Sequence, residues 1–357
     1  MNTLLFDLPS LVAGSIMVAM TFYALLGGAD FGSGVWDLLA AGPRARQQRE
    51  LIAHAIGPIW EANHVWLIAA IVILFTGFPL AFAEISTALF IPLMAMLVGI
   101  VARGSAFVFR AYGSQTDSVR QVYGTVFAIA SVATPIFLGI VIGSISSGRI
   151  VVVDGVVRTD FIDSWLGAFP IAMGALTLCL FALLAAVYLA VEADGAHDEM
   201  LREDFRRRAL IAAVVTGGVA WISLFLIRQD APVLYAGFVE RPWTLATIAL
   251  SIALGVTTIG ALLKRRFYVA RLTVVLQVIC VMWTWAFAQY PYLVLPNLTI
   301  QQAAGPEVTL QIAVIALVAG GVILFPSLFL LYRVFKGRKA FALIDAPAGD
   351  QTGARRP

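Results

Sequence analysis

The chain has 357 residues, 61% of them hydrophobic and only 13% charged, with a mean hydropathy of +0.91 and a formal charge of +3. Soluble globular domains carry roughly 25% charged residues, so this balance excludes a soluble protein and predicts an all-α polytopic membrane protein. Cys179 and Cys280 lie alone in apolar runs, which excludes a disulfide framework and a CxxC metal site, and the small net charge excludes a nucleic-acid partner.

A spanning helix needs about 20 mainly apolar residues. The stretches that qualify are 9–40, 54–75, 81–102, 122–145, 164–191, 209–227, 242–263, 271–289 and 309–332. The first ten residues contain no Lys or Arg, whereas a secretory leader begins with positive charge. The first stretch therefore reads as a retained span. The connections alternate sharply in charge. Of the 24 basic residues, 20 fall on one side of the nine spans, and only Arg149, Arg158, Arg228 and Arg241 fall on the other. By the positive-inside rule the N-terminus is outside and the C-terminus cytoplasmic.

The organisation follows. Residues 1–145 form a first four-helix bundle, 146–163 a periplasmic connection and 164–289 a second four-helix bundle. Residues 290–308 form another periplasmic loop, 309–335 a ninth helix and 336–357 a cytoplasmic tail, partly disordered. In the first connection, Val151-Val-Val-Asp-Gly-Val-Val157 predicts a small hairpin, because Asp-Gly favours a tight turn. The second loop carries Pro291, Pro296 and Pro306 and is expected over the membrane surface. There is no strict sequence repeat. A coarse one is visible, four spans with a charged loop after the first, then four again.

Two acidic residues lie deep in the first two spans. Asp30 sits among Gly27, Gly28, Gly32 and Gly34, and Glu61 follows Pro58 and Trp60. An intramembrane charge costs on the order of 2.5–3.5 kcal/mol on insertion scales, so such groups face a protein interior and tend to mark ion or proton paths. If the two spans fold back about the basic loop 42–49, residues whose numbers sum to 91 lie at equal depth. Asp30 is then level with Glu61, and Asp37 with His54. Members of each helix are seven apart, nearly one face, so the two levels are separated by about 10 Å. A water-assisted proton path from the cytoplasm is one reading, with helix glue the alternative for Asp30 and Glu61 and an interfacial position the alternative for Asp37 and His54.

Glu61-Ala-Asn-His64 has the Glu-x-x-His spacing of di-iron bundles, but no second copy accompanies it. Axial haem ligation by His54 or His64 has no supporting partner. His197 falls in a hydrophilic loop and reads as solvated. Arg103 and Arg110 are again seven apart. Arg103 either snorkels to the interface or pairs with an acidic group or a partner's haem propionate. Glu84 reads as interfacial.

Several motifs together resemble subunit II of the cytochrome bd-type quinol oxidases, in particular the cyanide-insensitive branch. They are Gly28-Ala-Asp-Phe-Gly-Ser-Gly34, Ile56-Gly-Pro-Ile-Trp-Glu-Ala-Asn-His-Val-Trp-Leu67, Ala102-Arg-Gly-Ser-Ala-Phe-Val-Phe-Arg110 and Tyr188-Leu-Ala-Val-Glu-Ala-Asp-Gly195. Tyr290-Pro-Tyr with Pro296-Asn-Leu-Thr-Ile300, and Leu331-Tyr-Arg-Val-Phe-Lys-Gly337, complete the series. The resemblance implies a subunit that binds no haem or metal itself, beside a haem-bearing subunit I that holds haems b and d and takes quinol from the membrane pool. It implies proton delivery through Asp30 and Glu61; the depth count adds Asp37 and His54 to that route, His64 is expected to stand in for lost acidic partners, and Arg103, Arg110, Trp60 and Asn63 are expected in structural or partner contacts. A structural quinone and a small single-helix subunit are further components it allows. The chain departs from the family pattern at Gly27, Val108 and His64, positions that relatives often fill with Asp, an acidic residue and Gln. A proton-coupled secondary transporter is the competing reading of the buried carboxyls.

Overall fold

The structure, a computed structural model, describes residues 7–56, 60–112, 117–153 and 156–336. Helix α1 (Leu8–Leu38) starts at Asp7, whose carboxylate accepts the Ser10 N–H at 2.9 Å. Pro9 is tolerated because N–H groups of a first turn have no partner within the helix. Beyond a short loop come α2 (Ala45–Ile56), α3 (Trp60–Asn63) and α4 (Val65–Gly77), followed by α5 (Pro79–Ala88), α6 (Phe90–Tyr112) and α7 (Asp117–Ser147). Strands β1 (Val152–Val153) and β2 (Val156–Val157) pair antiparallel. The second half runs α8 (Ala168–Gly195), α9 (Glu199–Asp230), α10 (Pro232–Val239), α11 (Pro242–Leu263) and α12 (Phe267–Gln289). It closes with β3 (Tyr292–Val294), β4 (Leu298–Thr299), α13 (Ile300–Ala303) and α14 (Glu307–Lys336).

Among the described residues, eight helices are long and apolar enough to cross a membrane. The pair α4 and α5, bent by 117° at Phe78, makes a ninth if counted as one broken span. This is a polytopic helical membrane protein, as the composition requires. The second expected span, 54–75, is not a single helix. Polar residues up to His54 belong to α2 (Ala45–Ile56), and the chain breaks at His64 before α4. The third, expected at 81–102, is delayed to Phe90, because residues 79–88 turn away as α5. Pro79 starts that helix and cannot donate to the turn before it.

The coarse sequence repeat becomes a backbone repeat. Helix α4 ends at Phe78 with φ −136° and ψ 62°, and α9 ends at Ala231 with φ −140° and ψ 63°. Each is followed by a proline opening a short helix, α5 or α10, and then by two further helices and a two-stranded hairpin. The hairpins lie at one end of the molecule, where Leu295 N–H donates to the Ile145 carbonyl at 3.0 Å and Asn297 Nδ2 to that of Ile150 at 3.5 Å. The β1–β2 pair meets the expectation for 151–157, with Val153 opposite Val156.

A compact unit covers Met1–Leu310 and a second covers Gln311–Pro357. In the first, α8 is the deepest helix: residues 182–187, Ala-Leu-Leu-Ala-Ala-Val, are all buried. Helix α1 packs on it closely, because apolar lipid offers helices little hydrophobic drive and small residues must supply contact. A Cβ on Gly32 would stand 1.9 Å from the Phe181 carbonyl oxygen and 2.8 Å from Ala185 Cβ. One turn on, Trp36 Nε1 donates to the Ala182 carbonyl at 2.8 Å. Helix α14 is apolar along most of its length, with Pro326 inside it. The tail beyond residue 336 lies outside the described residues.

Gly32→Ala is expected to lower the melting temperature of the purified protein strongly, because backbone must move. Overpacking costs about 1–3 kcal/mol where side chains alone adjust. Gly14→Ala, where a Cβ meets nothing within 4 Å, is expected to leave the melting temperature unchanged or slightly raised. Equal melting of the two variants would contradict the close α1–α8 contact.

Candidate functional site

Asp30 is buried in α1 at 5% exposure, on the face that α3 and α4 approach. The side-chain amide of Asn63, the last residue of α3, donates to Asp30 Oδ2 and lies 3.5 Å from the Leu26 carbonyl. The chain then turns at His64 and restarts as α4. That break places the His64 ring against two aromatic rings of α1, 5.9 Å from Tyr23 and 5.8 Å from Phe31 between centroids.

Arg103 enters from α6 and is 1% exposed, so it does not snorkel. Of the two readings of Arg103, its surroundings are those of a paired group: its guanidinium carbon lies 4.8 Å from the centre of the Phe31 ring and 5.0 Å from that of Phe127. Its Nε donates to Ser131 Oγ at 3.1 Å, and that hydroxyl donates to the Phe127 carbonyl at 2.7 Å. Gly34 is needed opposite, since a Cβ there would stand 2.2 Å from Ser131 Cβ. A buried guanidinium is costly unless a counter-charge and hydrogen bonds meet it. Asp30 supplies the charge and interacts with it electrostatically. Two aromatic faces add about 0.5–2 kcal/mol each.

Asp37 is buried two turns beyond Asp30 on α1, whereas His54 is exposed on α2. The α1 C-terminus between them gathers cations, as its dipole favours. Arg49 donates to the carbonyls of Asp37 at 3.5 Å and Ala40 at 3.3 Å, and Arg208 to that of Leu39 at 3.3 Å. Nearby, Arg44 makes a two-pronged bond to Asp204 at 2.8 and 2.7 Å, which raises its pKa further above the usual arginine value. The side chains of Glu61, Trp60 and Arg110 lie outside the described residues. The equal-depth count pairs Asp30 with Glu61; among the described side chains of α3, Asn63 bonds Asp30.

Tyr23, Phe31 and Ser131 were not anticipated. Tyr23 had a signal, for Tyr23, Asp30 and Asp37 are spaced by seven and share a face. Ser131 had none, since nothing local marks which serine of α7 meets Arg103. Glu84 is buried on α5, with Oε2 lacking a hydrogen-bond partner among the described residues.

These observations define a multi-pass helical membrane protein with an ionisable cluster buried between its first helices. Residues 8–335 match the family described as cytochrome bd terminal oxidase subunit II, and the chain belongs to that family. It is similar to the putative cytochrome bd menaquinol oxidase subunit II of Bacillus subtilis, with 24% identity over 93% of this chain and 97% of that one. It is also 24% identical to the cytochrome bd-I ubiquinol oxidase subunit 2 of Escherichia coli, over 58% of this chain and 52% of that protein. Its fold matches a chain of the bd oxidase from Geobacillus thermodenitrificans with a TM-score of 0.73 at 23% identity, covering 92% of this chain and 98% of that one. As a subunit II, it implies a subunit I partner.

Arg103→Lys keeps the charge but loses the planar group that stacks on two rings. It is expected to destabilise the protein by about 1–3 kcal/mol, read as a lowered denaturation midpoint. Arg46→Ala, whose Glu50 partner and own side chain are both exposed, is expected to change nothing measurable.

Proposed function

We propose that the chain is the haem-free subunit II of a membrane quinol:oxygen oxidoreductase in a bacterial inner membrane. Its subunit I carries haems b and d, oxidises quinol and reduces dioxygen to water. The hairpin end, with the N-terminus, is periplasmic, and the end rich in arginine is cytoplasmic. Helices α1, α3–α4, α6 and α7 make the first bundle, α8, α9, α11 and α12 the second, and α14 the ninth span.

In this reading the subunit stabilises subunit I and conducts protons inward from the cytoplasm. The observation that carries the reading is Asp30, a carboxylate inside a spanning helix, hydrogen-bonded by Asn63 and opposed by the charge of Arg103. Intramembrane carboxyls of this kind tend to serve as proton stations. His54 and Asp37 stand toward the cytoplasmic edge, and Asp30, Glu61 and His64 further in. The apolar cleft between α1, α7, α8 and α12, lined by Met20, Leu138, Ile142, Phe181, Val278 and Met282, holds about 40 Å³, too little for the structural quinone this reading allows elsewhere. Ligand pockets are commonly about 300–1,000 Å³.

Asp30→Asn and Glu61→Gln are each expected to keep the haem content of the assembly while slowing oxygen consumption by about tenfold or more, since neither amide titrates. The double variant should be far less than additive, because both block one route. His64→Gln should be milder. Wild-type oxygen consumption in both single variants across neutral pH would make the carboxyls structural. The haem-free assignment has its own check. This chain expressed without its partner should give no stoichiometric haem in a pyridine-haem spectrum.

A further inference from the structure

The cluster around Asp30 contains more hydrogen-bonding capacity than its protein contacts use. Ten buried side-chain polar atoms among the described residues have no hydrogen-bond partner, and four belong to this cluster: Tyr23 Oη, Asn63 Oδ1, His64 Nδ1 and Arg103 Nη2. Buried polar groups in folded proteins are rarely left unpaired, so four together call for a common explanation.

The four atoms belong to one shell of side chains around Phe31. The Phe31 ring is 6.5 Å from the Tyr23 ring and 5.8 Å from the His64 ring, and lies under the Arg103 guanidinium at 4.8 Å. Asn63 adjoins His64 in sequence and bonds Asp30, the neighbour of Phe31. The Tyr23 ring is directed along α1 toward Asp30, since a Cβ on Gly27 would stand 2.9 Å from Tyr23 Cε2. Tyr23, Asn63 and Arg103 are each 1% exposed, so bulk solvent does not reach them. The chemistry is mixed in the way water requires. The guanidinium only donates, the amide oxygen only accepts, the hydroxyl does both, and the imidazole nitrogen does either by tautomer. A buried water makes about three hydrogen bonds to such groups.

We propose that Tyr23, Asn63, His64 and Arg103 enclose an internal hydration site beside Asp30. The site's ligand is water, held between α1, the α3–α4 break and α6. Its functional meaning rests on Asp30 being a proton station, because water there would link the carboxylate to the Tyr23 hydroxyl and the His64 ring. Its existence rests on the unpaired atoms alone. Tyr23 and His64 then act as positioning residues for that water.

X-ray radiolysis of the intact oxidase assembly in ¹⁸O-labelled water, read by peptide mass spectrometry, tests this directly. Radicals formed from bound water oxidise the side chains that touch it. Tyr23 and His64 should take up ¹⁸O markedly faster than Phe169 and Phe205, which are 0% exposed. Tyr23→Phe keeps the ring against Gly27 and removes one wall group, so labelling of His64 should fall. Labelling of Tyr23 and His64 no faster than of the two phenylalanines overturns the proposal, as does unchanged His64 labelling in Tyr23→Phe. Oxygen consumption by Asp30→Asn separates the two readings. Fast labelling with undiminished turnover keeps the hydration site and removes the proton station. Slow labelling with depressed turnover does the reverse.

Discussion

The arrangement depends on holding the Arg103 guanidinium inside an apolar bundle. Taking such a charge from water costs several kcal/mol even after relaxation, so every element near it is shaped to compensate. Phe31 and Phe127 offer ring faces, Ser131 an oxygen, and Asp30 a negative charge. Asp30 in turn requires Asn63, which requires α3 to end where it does. Gly34 must lack a side chain so that Ser131 can stand in place. Helices α1, α3, α6 and α7 are thus fixed to one another by one electrostatic demand.

A second layer of constraint fixes α1 itself. Gly32 and Trp36 bind it to α8 through backbone carbonyls, the one by proximity and the other by a hydrogen bond. The functional face of α1 and its packing face are therefore interleaved along the same turns. Substitutions that change the chemistry of the site will seldom leave the packing untouched, which makes amide-for-carboxyl exchanges the cleanest probes.

Composition and hydropathy alone made the membrane class legible, and the motif order made the family legible. The depth count pairs Asp30 with Glu61, whose side chain lies outside the described residues, and the neighbouring Asn63 is seen to bond Asp30. It assumed an unbroken helix, however, and so missed the interruptions that make Asn63 the contact and turn residues 79–88 aside. Those breaks depend on local chain direction at Phe78 and His64, which hydrophobicity does not encode. Arg103 was left between two readings for a related reason. Snorkelling is the default for a basic residue near a helix end, and only knowledge of Phe127 and Ser131 on another helix could overrule it. The repeat was faint in sequence because its halves share little beyond a proline after Phe78 and after Ala231 and the backbone geometry there.

The interruption at His64 has an electrical side as well. An α-helix carries the equivalent of about half a positive charge at its N-terminus, and α4 begins at Val65 with no side chain capping it. Its opening turn begins two residues after Asn63, which bonds Asp30. The break thus carries a positive main-chain end in its own right, which no side-chain substitution removes. A subunit of this shape would keep part of its hold on negative charge even with its arginine gone, and its strength would vary with where the helix is cut.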